Sequence, residues 1–142
     1  MDYTLVKFDG VPLMVPIING KPFDDWAADT CKDYPSFCGA GSGIGDWIVP
    51  DRIWLLKVSV ACHIHDLCWE LAEPTSKDLV EANRVFLSNL MAIIKAKSNW
   101  FTRILRNQRA MIYYTAVDSK KNHVFWSLKI QQARERSIDK KL

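Results

Sequence analysis

A chain of 142 residues, 49% hydrophobic and 25% charged, has the length for one domain with a sizeable core and is too short for two comfortable ones. Its net charge of +3 permits attraction to anionic lipid or phosphate, but the basic residues are spread along the chain rather than gathered in a stripe, which argues against a nucleic-acid partner. No apolar run approaches the ~18 residues needed to span a bilayer, and four cysteines are too few for a scaffold of this length that depends on disulfides.

The start, Met1-Asp2-Tyr3-Thr4, lacks the basic and apolar regions of a secretory signal, as a mature secreted chain also would; compartment and oligomeric state stay open. Over residues 1–23, short apolar pieces alternate with Gly10, Pro12, Pro16, Asn19-Gly20 and Pro22. This pattern predicts a small β-hairpin or irregular arm, with Asn19-Gly20 as its best turn. Residues 24–56 carry Cys31, Cys38 and the run Phe37-Cys38-Gly39-Ala40-Gly41-Ser42-Gly43-Ile44-Gly45 without sustained periodicity, and are expected to be mostly loop. The glycines there let backbone carbonyls turn toward a common centre.

From about residue 57 to 73 the pattern is helical: Val58, Cys62, His65, Trp69 and Ala72 recur at spacings of three and four until Glu73-Pro74 stops the run. Thr75 is the expected N-cap of a second helix over 76–97, with Asp78 in place of the usual Glu of a capping box. Its stripe is Leu79, Asn83, Phe86, Leu90 and Ile93. A third helical region runs roughly from Asn99 to Val117 and a fourth from about Asn122 to Ile138. The expected fold is therefore mainly α and a single domain over 1–142. An arm covers 1–36, the glycine run and an antiparallel helix pair occupy 37–97, and further helices fill 98–142.

The short connection at Pro74 makes the two helices antiparallel neighbours. Reflection about position 74 brings His65 level with Asn83, Trp69 with Leu79 and Cys62 with Phe86. His65 and Asn83 are polar residues on otherwise apolar stripes, so a hydrogen bond between them, direct or through water, is expected. Such a partner fixes one imidazole nitrogen as donor and leaves the other to act as a base toward water. Asp66 is rotated by about 100° from His65 and is free to face the glycine run, as a carboxylate ligand for a hard cation whose shell the loop carbonyls complete.

These residues resemble the phospholipase A2 superfamily, whose helix signature is Cys, Cys, two residues, His, Asp, one residue, Cys. Cys62, His65, Asp66 and Cys68 fall on that pattern, with Ala61 in place of the first cysteine. Phe37-Cys38-Gly39-Ala40-Gly41 matches the family's calcium loop, an aromatic followed by Cys-Gly-x-Gly. Prokaryotic and more distant members also carry a second-helix Asp followed three residues later by Phe, where this chain has Asn83 and Phe86. The resemblance covers roughly residues 37–94.

It implies that His65 activates water, with Asn83 as its partner, for attack on the sn-2 ester of glycerophospholipids at a membrane interface. It implies Ca2+ as the cofactor, held by Asp66 and the backbone carbonyls of Phe37, Gly39 and Gly41, and a disulfide between Cys38 and Cys62. Asn83 in place of Asp brings no negative charge, so Asn83→Asp is expected to raise activity if that charge is limiting. A weak or silent lipid- or protein-binding module is the alternative. Trp69 replaces a common Tyr, and Tyr113 or Tyr114 is the candidate source of the missing donor.

Other readings weigh less. A zinc cluster of Cys62, His63, His65 and Cys68 has suitable ligand types, but on a helix His63 points away from the rest. Trp47, Ile48, Trp54, Leu55, Trp100 and Phe101 serve equally as an apolar rim for lipid or as ordinary core. The run from Arg134 to Lys141 is expected to be a solvated helix end.

Overall fold

A computed structural model describes residues 1–22, 52–53, 56–120 and 122–140. Three strands, β1 (Tyr3–Phe8), β2 (Val11–Ile18) and β3 (Lys21–Pro22), form an antiparallel meander in that order. Both turns use positive φ at two successive residues, 50° and 77° at Asp9-Gly10 and 51° and 76° at Asn19-Gly20, the tight geometry whose twist suits a hairpin. The arm is thus a three-stranded sheet with two hairpin turns.

Val11, Leu13 and Val15 point into the core at the strand period of two. Pro12 and Pro16 sit in the middle of β2 without breaking the ladder to β1. Met14, of the same parity, donates its N–H at 2.7 Å to Asn89 Oδ1 and accepts at 2.9 Å from Asn89 Nδ2. That edge of β2 therefore faces away from β1, and the missing proline N–H groups remove no bond from the pair. The buried Asn89 amide substitutes for a neighbouring strand where the two-residue β3 does not reach.

A two-residue pair, β4 (Arg52–Ile53) with β5 (Leu56–Lys57), leads into the helices. These are α1 (Ser59–Leu71), α2 (Ser76–Lys97), α3 (Trp100–Thr115) and α4 (Asn122–Asp139), with a π-helical turn at Ala116–Lys120 between the last two. The fold is mainly α, as the periodicity predicts. The first helix starts at Ser59 rather than near 57 because Leu56 and Lys57 pair as strand, and α2 matches the expected bounds.

Thr75 caps α2 by accepting from the Asp78 N–H at 3.1 Å, but the Asp78 carboxylate reaches the N–H of Glu73 at 3.0 Å. The cap thereby closes the connection around Pro74 instead of forming the reciprocal box. Asn99 caps α3 through the Thr102 N–H at 2.9 Å. Arg106 bonds the Lys97 carbonyl at 3.2 Å and Ser98 Oγ at 2.8 Å, so a cation meets the negative end of α2.

α1 and the sheet both pack on α2. The core gathers Leu13, Val15, Ile64, Phe86, Leu90, Ile94 and Phe125. α4 is fixed to the end of α1 by Lys129, whose ammonium donates to the Glu70 carbonyl at 2.9 Å and lies 5.4 Å from the Phe125 ring centroid. Among the described residues, no helix is long and apolar enough to cross a membrane. The helix end from Arg134 to Lys140 is solvated, and Lys141 lies outside the described residues.

Candidate active site

His65 and Trp69 are one turn apart on the buried face of α1, and Asn83 and Phe86 face them from α2. The inferred bond is direct: His65 Nε2 lies 2.9 Å from Asn83 Oδ1. The same oxygen accepts from Trp69 Nε1 at 3.0 Å, and Asn83 Nδ2 donates at 3.2 Å to Asp118 Oδ1. Asn83 is 0% exposed and His65 4%, so each bond satisfies a group that water cannot reach. The His65 ring also lies between aromatics, with Phe86 stacked and Trp69 tilted, each centroid 4.6 Å away.

This arrangement determines where the imidazole proton sits. An indole nitrogen can only donate, so the Asn83 atom facing Trp69 is the oxygen. His65 Nε2 faces that oxygen and therefore carries a proton. In the neutral ring Nδ1 then bears the lone pair. Nδ1 lies on the Asp66 side, 4.0 Å from Asp66 Oδ1.

Asp66 differs from its neighbour as the helical rotation predicts. Its side chain is 48% exposed against 5% for His65, so the carboxylate faces outward while the imidazole is held between the helices. The other expected calcium ligands, Phe37, Gly39 and Gly41, lie outside the described residues, as do Cys38, Trp47, Ile48, Trp54 and Leu55. Among the described residues no cluster of three or more His, Cys, Asp or Glu side chains could hold a metal.

Trp69 itself supplies the donor expected of a tyrosine. Tyr113 is buried and Tyr114 half-buried, and neither is among the side-chain partners of Asn83, which are His65, Trp69 and Asp118. The indole N–H went unforeseen because a tryptophan on an apolar stripe reads as packing alone. Asp118 was missed for a different reason. It stands 35 positions from Asn83, in the π-helical turn where the regular period that guides sequence reading breaks.

Cys62 is disulfide-bonded, and its partner lies outside the described residues, where Cys31 and Cys38 both stand. Its sulfur is therefore not a thiolate ligand, which removes a member of the zinc cluster. Cys68 is a free, buried thiol pushed up to about 12 by burial; it stays protonated and ligates poorly. His63 is half-buried and its imidazole is held below the usual range by burial.

Trp100 and Phe101, rim or core from sequence, are solvent-exposed. With Ile104, Met111 and Ile112 they form an exposed apolar stripe along α3, a helix that carries three arginines and no acidic residue. No protein-family model, curated protein or solved structure matches the chain.

Proposed function

We propose that this protein is a calcium-dependent phospholipase A2-type hydrolase acting on the sn-2 ester of glycerophospholipids, with His65 as the base toward water. The observation that carries the reading is the fixed tautomer. His65 has its Nε2 proton held by Asn83 and its Nδ1 lone pair directed to the side where Asp66 stands. The helix signature and glycine loop of the resemblance supply the substrate class.

In the reaction, His65 Nδ1 takes a proton from water as the water oxygen attacks the ester carbonyl carbon. The imidazolium so formed keeps its Nε2–H bond to Asn83. It then returns the Nδ1 proton to the glycerol oxygen as the carbon–oxygen bond breaks, releasing a fatty acid and a lysophospholipid. One base thus serves both steps.

Calcium suits the donor set, since Asp66 offers a hard, outward carboxylate oxygen and the carbonyls of Phe37, Gly39 and Gly41 are of the same type. When bound there, the ion supplies Lewis-acid stabilisation of the developing oxyanion. The exposed α3 stripe supports a membrane interface as the partner, because apolar residues beside arginines favour anionic lipid surfaces. Fatty-acid release that stops on chelation and in Asp66→Lys supports the reading, and release unchanged by EDTA overturns it. A protein that floats with vesicles yet releases nothing fits the silent lipid-binding alternative instead.

A further inference from the structure

We propose that Asp118 is a positioning residue: by accepting from the Asn83 amide it holds that amide in the one orientation that makes His65 Nδ1 the base. The inference rests on the hydrolase reading for its consequence but not for its geometry. An asparagine, unlike an aspartate, has two unlike ends. Rotated by half a turn, it would present its NH2 to His65 and Trp69, opposing the indole N–H and drawing the imidazole proton to the other nitrogen. Trp69 disfavours that rotation from one side, by needing an acceptor at 3.0 Å. Asp118 disfavours it from the other, by needing a donor at 3.2 Å.

The order of bonds is therefore Asp118 carboxylate, Asn83 amide, His65 imidazole, with every N–H directed toward Asp118. A carboxylate is present after all, one amide farther from the ring than the second-helix Asp of the resemblance, whose place Asn83 takes. The π-helical turn brings it there: Ala116 and Val117 are buried and the carboxylate of Asp118 reaches α2. This revises the expectation for Asn83→Asp. Alone, that change puts a second carboxylate where an amide nitrogen and a carboxylate oxygen are now 3.2 Å apart. Like charges repel there, so the single variant gains nothing over the parent chain. Paired with Asp118→Asn, the carboxylate at position 83 accepts from imidazole, indole and the new amide together: the bond between 83 and 118 reverses, while the imidazole and indole protons keep their direction.

The test is the tautomer of His65, read from the ring-nitrogen NMR signals of isotope-labelled histidine in the full chain and assigned against His65→Gln, alongside kcat and KM for a short-chain phospholipid. The parent chain shows the proton on Nε2. In Asp118→Leu the signals become a mixture of tautomers and kcat falls about 100-fold at little-changed KM, the lower end of what a placed base contributes. The double variant Asn83→Asp/Asp118→Asn regains the single tautomer and most of kcat. An Asp118→Leu protein that keeps both the single tautomer and kcat overturns the proposal. If that variant does not fold, the double variant decides: a lost Nε2–H tautomer there overturns it. A parent chain without turnover whose tautomer still depends on position 118 refutes the hydrolase reading and retains the role of Asp118.

Discussion

Replacing Asn83 by alanine removes the acceptor of two buried N–H groups at once. His65 and Trp69 are 4% and 6% exposed and lie 2.9 and 3.0 Å from the Asn83 oxygen. A buried donor left without a partner costs about 1–3 kcal/mol, so two give roughly 2–6 kcal/mol; Asp118 is half-buried and recovers water in place of the amide. The expected loss is about 4 kcal/mol, a large share of the ~5–15 kcal/mol typical of a domain, or a fall in Tm of about 10–15 °C at ~3 °C per kcal/mol. Asn89→Ala is the matched control, because Asn89 is equally buried and holds the Met14 N–H and carbonyl. Chemical denaturation should give both variants a similar loss, while fatty-acid release per folded molecule falls only in Asn83→Ala. A loss under about 1 kcal/mol in Asn83→Ala, or an equal loss of specific activity in both, refutes the reasoning that this amide is the hub of the site.

Cys68 tests the burial of the α1 face against the arm. With its thiol pushed up to about 12, only about one molecule in ten thousand carries a thiolate at pH 8, so iodoacetamide should label Cys68 after unfolding and not before; rapid native labelling contradicts the packing. The fold holds that proton more tightly than the unfolded chain, whose cysteine titrates near ~8.5. Its stabilising contribution is therefore intact below about pH 8.5 and lost as pH rises toward about 12. Cys68→Ala should flatten that alkaline loss, although Tyr3, also raised by burial, keeps part of it. Trp69→Phe keeps the ring but removes the N–H that identifies the Asn83 oxygen. It should cost about 1 kcal/mol and mix the His65 tautomers, and an unchanged NMR signature would show that Asp118 suffices alone.

The helix pair was legible because two kinds of information coincided: Pro74 fixed the point of reflection, and the polar residues His65 and Asn83 broke otherwise apolar stripes. A short connection leaves little freedom of register, so a one-dimensional count became a distance. The α2 cap was readable for a similar local reason, with Thr75 bonding an N–H three residues on. The rest of the network depends on contacts between elements whose mutual placement no period encodes. Asp118 approaches from a π-helical turn and Asn89 meets the sheet across 75 positions. Read from sequence, both were only polar residues.

The central claim is that His65, with its proton on Nε2 and its lone pair on Nδ1, removes a proton from water in ester hydrolysis. Its most direct test is fatty-acid release from vesicles of phospholipid labelled at the sn-2 chain, at saturating calcium, for the parent chain and His65→Gln. Labelled fatty acid released by the parent chain and reduced by at least about 100-fold in His65→Gln is the predicted result. Equal release by the two proteins, or label appearing only in the lysophospholipid, would contradict it.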